Sequence, residues 1–168
     1  MSDCTLNLTL PIAFPPRARK YNARLLTPPA IGSKWATAWS QTDVSAWTSI
    51  YADKATYTDY AFGFIRRGKP GLGEHFTIWR KAHPDFRMEV VEVWPEIVLD
   101  ENLVKHSIRT RNVGTFTCDL PTMKASGKTF EFYAVVDLVV GKQDGLIVKV
   151  QEWYHRQFDA DRLVERDI

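Results

Sequence analysis

The pattern of hydrophobic and polar positions divides the chain into a Pro-rich start, a helical part and a strand-rich remainder. Apolar residues recur at helical spacing around residues 33–51 and again from Leu72 to Trp79, which predicts three helices. Residues 54–60 change to strand-forming types, and residues 63–73 are predicted to form a loop. After Pro84 the period becomes that of strands, and four are predicted, over residues 87–94, 103–112, 129–140 and 146–155.

Short turn signals separate the last four predicted strands and are compatible with antiparallel connections. The predicted order is therefore helix, helix, strand, helix and then four strands. This order indicates an α+β fold, in which three helices pack on one face of a mostly antiparallel sheet. The turn signals are Asp100-Glu101-Asn102, Ser126-Gly127 and Gln143-Asp144-Gly145.

A chain of 168 residues has the usual size of one domain. Five prolines in the first thirty residues remove backbone donors and fix local φ, so residues 1–30 are predicted to be a Pro-rich N-terminal arm. Residues 31–160 are predicted to be the folded domain, and residues 161–168 a C-terminal tail.

Composition and charge exclude several classes of function. A net charge of +2, with Lys and Arg interleaved with Asp and Glu, does not favour nucleic-acid binding. No apolar run is long enough to span a bilayer, and the N-terminus lacks a signal-peptide pattern, so we expect a cytoplasmic protein. Cys4 and Cys118 are far apart and show no metal-binding spacing, which predicts free thiols and no metal site.

Three carboxylates fall where the pattern predicts burial. Alternation in the last strand places Glu152 on the apolar face with Val148, Val150 and Tyr154. Such a carboxylate is either paired structurally or tuned for function. Asp137 lies in a strand that is apolar on both faces, which predicts a raised pKa and a protonated acid, or an Asp hydrogen-bonded to a neighbour.

Asp59 follows Tyr57 on one strand face, at the predicted mouth of a pocket. There it is either a general base or a turn residue that bonds its own backbone.

Aromatic residues and histidines complete the candidate site. Two predicted helices carry tryptophans on one face, which suits an aromatic-lined cavity as well as a plain core. The two candidate histidines are either proton carriers or satisfied core residues. The candidate substrate-binding residues are Trp35, Tyr57, His75, Trp79, His106 and Tyr154.

Several of these residues form a recognisable series: Trp35-Ala-Thr-Ala-Trp39, Asp43, the strand from Tyr51 to Asp59, a loop to Gly68 and a following helix. From about Ile31 to Asp159 the chain resembles the SnoaL-like polyketide cyclases and ketosteroid isomerases of the nuclear transport factor 2-like superfamily. The resemblance implies a cone-shaped α+β barrel, with three helices packed on a curved, mostly antiparallel sheet.

The resemblance also implies roles for individual residues. Asp59 matches the general base of ketosteroid isomerase, and Asp137 matches its protonated oxyanion-hole aspartate. Trp35 stands where that enzyme has its oxyanion tyrosine, so half of that donor pair is missing. Glu152 resembles the last-strand carboxylate of limonene epoxide hydrolase-like members.

These expectations define a cofactor-independent acid/base enzyme of secondary metabolism, a cyclase, isomerase or dehydratase acting on a small hydrophobic polyketide- or terpenoid-like substrate. The alternatives are a non-catalytic ligand-binding or adaptor cone, and an epoxide-hydrolase-like enzyme that would need Arg109 beside Glu152. Neither a metal nor a nucleic-acid or membrane partner is expected. A homodimer through the sheet is expected, because the strand Phe132–Val140 is apolar on both faces.

Overall fold

The computed structural model describes residues 29–155, and the predicted tail, with nearly all of the predicted arm, lies outside them. The division into arm, domain and tail therefore stays a prediction. Three helices and seven strands follow one another along the described residues. They are α1 (Ala30–Trp39), α2 (Val44–Ser49), β1 (Tyr51–Asp59), β2 (Phe64–Arg67), α3 (Gly68–Ala82), β3 (Arg87–Val93), β4 (Ile97–Val98), β5 (Leu103–Thr115), β6 (Thr129–Gly141) and β7 (Ile147–Trp153).

The strands form one curved sheet in the order β2-β1-β7-β6-β5-β3, with β4 paired to β5. All neighbouring strands are antiparallel except β1 and β7, which are parallel. The predicted α+β class, with three helices on a mostly antiparallel sheet, is confirmed. The strand order does not return to its start, so the sheet stays open and is not a closed barrel.

The region between β1 and α3 differs from the predicted loop over residues 63–73. Gly63, at φ 70°, completes a tight turn, and Phe64–Arg67 then pairs antiparallel with the end of β1. Helix α3 begins directly afterwards at Gly68. A strand of four residues with two adjacent arginines has too short an apolar pattern to be found by alternation.

Alternation gives the sheet two distinct faces. The inner face packs on the helices and carries the core, including Ile108 of β5, Val136 of β6 and Val150 of β7. The outer face carries the intervening residues, among which Tyr133 and Trp153 are exposed.

The helices cover the inner face with aromatic side chains. Trp35 and Trp39 lie four residues apart on α1, and both are buried. Asp43 caps α2 by accepting from the backbone N–H groups of Ser45 at 2.8 Å and Ala46 at 3.2 Å. Trp47 of α2 then packs at 5.1 Å from Phe76 of α3, with the rings stacked.

The structure bears on the predicted free thiols and on the absence of a membrane-spanning segment. Cys118 is disulfide-bonded, so the prediction of free thiols is wrong. Within residues 29–155, no helix combines the length and the apolar character needed to cross a membrane.

Candidate active site

A narrow cleft lies between the helices and the inner face of the sheet, at the end where β1 and β7 finish. Its empty volume is about 260 Å³, part of it open to solvent, and at its widest it has room for about one water molecule. A ring-sized ligand therefore requires wall side chains to move. The lining residues are Trp39, Tyr57, Asp59, His75, Trp79, Phe86, Met88, Phe132, Glu152 and Tyr154.

Asp59, the last residue of β1, supplies the first carboxylate. It is only 2% exposed. One carboxylate oxygen, Oδ1, accepts from the backbone N–H of Phe62 at 2.9 Å, and the other, Oδ2, accepts from the hydroxyl of Tyr154 at 2.8 Å. The turn after β1 and the chain after β7 thus hold this carboxylate from both sides.

Glu152 of β7 supplies the second carboxylate, and it lies directly opposite Asp59 in the parallel β1–β7 pairing. Neighbouring strands run about 4.8 Å apart, so the two side chains share one patch of the inner face. Oε2 of Glu152 accepts a hydrogen bond from the hydroxyl of Tyr57. Burial raises the pKa of Tyr57 well above its ordinary value, so this phenol remains a donor.

The surroundings of Glu152 favour its protonated form near neutral pH. Burial, and next the negative charge of Asp59, raise the pKa of Glu152 to about 8, against the hydrogen bond from Tyr57, which lowers it. Glu152 is therefore a neutral carboxylic acid near neutral pH. Two like charges on adjacent strands in an apolar cleft repel each other, and protonation of Glu152 avoids that repulsion.

His75 of α3 forms the opposite wall and contacts the ring of Tyr57 at a centroid distance of 4.9 Å. Burial first, and the charge of Arg66 second, lower the pKa of His75 to about 3. The imidazole is therefore neutral across the physiological range. Its surroundings are apolar, with Trp39 at 5.5 Å and Phe64 at 5.1 Å.

Most of the residues predicted for the site do lie together in this cleft. They are Asp59, Glu152, Tyr57, His75, Trp79 and Tyr154. Their position does not by itself test the roles predicted for them.

The prediction that Asp137 faces the pocket is wrong. Asp137 points to the outer face, where Oδ2 accepts from Lys105 Nζ at 3.1 Å and Oδ1 accepts from Ser107 Oγ at 2.6 Å. Its side chain is 17% exposed. The sequence offered no neighbouring cation, because Lys105 comes from the adjacent strand β5. Asp137 is therefore a structural carboxylate in an ion pair.

Trp35 and His106 also lie away from the cleft. Trp35 is fully buried and its Nε1 donates to the hydroxyl of Tyr51 at 2.8 Å, which makes it a core residue. His106 lies towards the far end of β5, where its Nδ1 is 3.6 Å from Oε2 of Glu96. Neither residue lines the cleft, so the structure does not bring them together with the other predicted substrate-binding residues.

Four lining residues were missing from the predicted set. Trp39 and Phe132 carry a usable signal, since Trp39 lies one helical turn after Trp35 and Phe132 lies on the inner face of β6 by alternation. Phe86 lies between α3 and β3, outside any periodic segment, and Met88 is the second residue of β3. They reach the cleft because Arg80 holds the turn before them, donating to the carbonyls of Phe86 and Pro84 at 2.8 and 2.6 Å.

The described part of the chain contains no group of three or more His, Cys, Asp or Glu side chains arranged to hold a metal ion. The ionisable side chains that line the cleft are two carboxylates, two phenols and an imidazole.

Part of the sequence matches a known protein family. A family model described as a SnoaL-like domain matches residues 33–150. No curated protein matches the sequence at a significant level.

Solved structures share the fold at low sequence identity. A protein of ketosteroid isomerase-like fold from Catenulispora acidiphila, in complex with trimethylamine, is 19% identical, with a TM-score of 0.62 over 79% of this chain and 90% of that chain. A protein from Pseudomonas putida, proposed to be a polyketide cyclase, is 14% identical, with a TM-score of 0.56 over 76% and 91%. A hexachlorocyclohexane dehydrochlorinase is 13% identical, with a TM-score of 0.61 over 74% and 80%. At these identities the similarity shows the fold alone.

Proposed function

The chain belongs to the SnoaL-like domain family, and from this premise we propose that it is an acid/base enzyme needing no cofactor. The observation that carries the proposal is the buried pair of Asp59 and Glu152, which lie opposite each other in the cleft, with the pKa of Glu152 raised to about 8. A cleft that only binds an apolar ligand gains nothing from two desolvated carboxylates. A proton-transfer enzyme needs both a base and an acid at the same pH, and this pair supplies both.

In the proposed reaction Asp59 removes a proton from a carbon next to a carbonyl group. The C–H electron pair becomes a carbon–carbon double bond, and the carbonyl π pair moves onto its oxygen. Glu152 then gives its proton to a departing hydroxyl in a dehydration, to carbon in an isomerisation, or to a new alkoxide in a cyclisation. Afterwards Asp59 holds the proton and Glu152 is ionised, so a transfer between the two neighbours restores the starting state.

The two tyrosines prepare each carboxylate for its role. Tyr57 donates to Oε2 of Glu152, which leaves Oε1 to carry the acidic proton. Tyr154 and the Phe62 N–H fix the orientation of Asp59, as general base catalysis requires. Substrate recognition falls to the aromatic walls, which suit a small, flat, hydrophobic ketone of the polyketide or terpenoid type.

The epoxide-hydrolase-like alternative receives no support, because it needs Arg109 beside Glu152. Arg109 lies on the outer face, stacked at 4.7 Å over Tyr133 and 3.6 Å from the Glu92 carboxylate. An adaptor role is favoured by no single contact in the described residues.

Hydrogen–deuterium exchange tests the proposal without knowledge of the natural substrate. The full-length protein is incubated in D₂O with acetophenone, cyclohexanone or β-tetralone, and loss of the α-proton signals is followed by NMR. We expect wild-type protein to accelerate exchange of at least one ketone. Asp59→Asn should slow it by about a hundred- to ten-thousand-fold, the usual contribution of a positioned base.

Asp137→Asn is the matched control, since it is the same substitution in the same sheet but on the outer face. It should exchange α-protons at the wild-type rate. If Asp59→Asn and Asp137→Asn both exchange like wild type, Asp59 is not the base and the proposal fails.

A further inference from the structure

Among the residues that line the cleft, Trp39 stands out because its indole N–H is buried without an acceptor in the described part of the chain. Trp39 is 3% exposed, and its Nε1 has no hydrogen-bond partner among the residues that the structure describes. The neighbouring Trp35, one helical turn earlier, is satisfied, since its Nε1 donates to Tyr51 at 2.8 Å. A buried donor without an acceptor loses its hydration and gains nothing in return, so it calls for an explanation.

Burial alone does not single out this atom. Trp47 Nε1 and Asn112 Oδ1 are also buried without a partner in the described chain, but neither residue lines the cleft. Trp39 differs because it is both unpartnered and part of the wall. The other Trp of that wall, Trp79, is not among the buried unsatisfied groups.

Trp39 lies beside two other residues of the cleft wall, Tyr57 and His75. It is the last residue of α1, and its ring lies 6.4 Å from that of Tyr57 and 5.5 Å from that of His75. The hydroxyl of Tyr57 is already donated to Glu152 and that of Tyr154 to Asp59. An indole N–H is a donor only and does not titrate, so it is available at every working pH.

We propose that Trp39 Nε1 donates a hydrogen bond to the carbonyl oxygen of the substrate, and that this bond strengthens as the oxygen becomes an enolate. The inference rests on the proposed function, because only removal of an α-proton places negative charge on that oxygen. Preorganised donors aimed at a developing oxyanion are a major source of rate enhancement. A substrate oxygen would also satisfy the donor that residues 29–155 leave unpaired.

The test uses para-nitrophenolate as a stable mimic of the enolate, bound to full-length protein carrying Asp59→Asn. The Asn amide stands for the neutral Asp59 that exists after proton removal. Indole N–H signals are followed in ¹⁵N-tryptophan-labelled protein, and the Trp39 signal is identified by its loss in Trp39→Phe. We expect the Trp39 proton to move downfield on binding, while the Trp47 proton stays in place.

A second arm separates the hydrogen bond from packing. Benzothienylalanine replaces the indole N–H by sulfur with nearly the same shape, and it is placed at position 39 or, as the matched control, at position 47. Replacement at 39 should weaken para-nitrophenolate binding on the order of ten- to a hundred-fold, the usual range for a bond to a charged group. Replacement at 47 should leave the affinity unchanged, and nitrobenzene, which carries no oxyanion, should bind both variants alike.

An unmoved Trp39 signal, equal affinities of the two replacements, or no binding of para-nitrophenolate would each overturn the inference. The proposed function is judged separately, since deuterium exchange that depends on Asp59 can persist without a donor at Trp39. Conversely, exchange that ignores Asp59 would remove the proposed function whatever the Trp39 signal does.

Discussion

Replacing Glu152 by Gln should stabilise the protein more and more as pH rises. The Gln side chain imitates the protonated acid, because its carbonyl oxygen can accept from Tyr57 and its NH₂ group can stand in for the acidic proton. Unlike Glu152, it cannot ionise. The variant therefore removes the one group whose pKa the fold raises to about 8.

The direction of this change in stability with pH follows from how many protons Glu152 binds in the folded and in the unfolded protein. The ordinary pKa of this group is 4.5, and the folded-state pKa is about 8. Below pH 4.5 both states hold the proton, so Glu152 adds no pH dependence there. Between the two values the unfolded chain releases the proton while the folded protein keeps it, so wild-type stability falls as pH rises. Above pH 8 both states are ionised and the loss is complete.

The size of the stability loss follows from the interval between the two pKa values of Glu152. Each pH unit between the two pKa values lowers the free energy of unfolding by about 1.4 kcal/mol, which gives about 3 kcal/mol at pH 7 and about 5 kcal/mol above pH 8. Glu152→Gln lacks this loss. The difference between variant and wild type should thus grow by about 5 kcal/mol between pH 4.5 and 8, a large share of the 5–15 kcal/mol typical of a domain.

The difference in free energy of unfolding is measured by urea unfolding of wild type and Glu152→Gln at steps of half a pH unit from pH 4.5 to 9. Groups that titrate alike in both proteins do not contribute to this difference. Glu131→Gln is a control of opposite sign, because hydrogen bonds from Arg111 lower the pKa of Glu131. Its removal should destabilise the protein at neutral pH and matter less at low pH. A difference for Glu152→Gln that stays flat with pH, or a variant less stable than wild type at pH 8, would show that the fold does not raise the pKa of Glu152.

Three further predictions concern the surroundings of the pair and the outer face. Tyr57→Phe removes the hydrogen bond that lowers the pKa of Glu152, so the alkaline limb of the pH profile of ketone exchange should move to higher pH. An unchanged pH profile would show that this hydrogen bond does not lower the pKa of Glu152. Asp137→Asn should lower the free energy of unfolding by no more than about 1 kcal/mol, since its ion pair with Lys105 is partly exposed. Urea unfolding measures this loss, and a larger loss would contradict the prediction. If the sheet forms a homodimer through its outer face, Val135→Lys should convert it to monomer in sedimentation velocity runs, and wild-type protein that sediments as a monomer would disprove the dimer.

The sequence carried enough information to find the main features of the site. Asp59 and Tyr57 were placed on one strand face, and Glu152 and Tyr154 on one face of the last strand, because period-two alternation depends only on local order. The structure adds that β1 and β7 are parallel neighbours, which sets Asp59 opposite Glu152. That pairing joins residues far apart in the chain, and no local pattern predicts it.

The failures share the same origin. Asp137 lies in a strand that is apolar on both sides, so alternation could not say which face it occupies. Its partners, Lys105 and Ser107, come from the neighbouring strand through the β5–β6 register. His106 shares a strand face with Ile108 by alternation, but its distance along the sheet from the cleft depends on that same register. Orientation follows from short-range order, whereas pairing and depth depend on tertiary contacts.

NMR of the carboxyl carbons tests most directly whether Glu152 is protonated near neutral pH. Protein labelled with ¹³C at the Glu and Asp carboxyl carbons is titrated by NMR, and Glu152 is identified by loss of its signal in Glu152→Gln. We expect Glu152 to show the chemical shift of a protonated acid at pH 6 and to titrate near pH 8. A Glu152 signal that is fully ionised at pH 6 would rule out Glu152 as the acid of the proposed reaction.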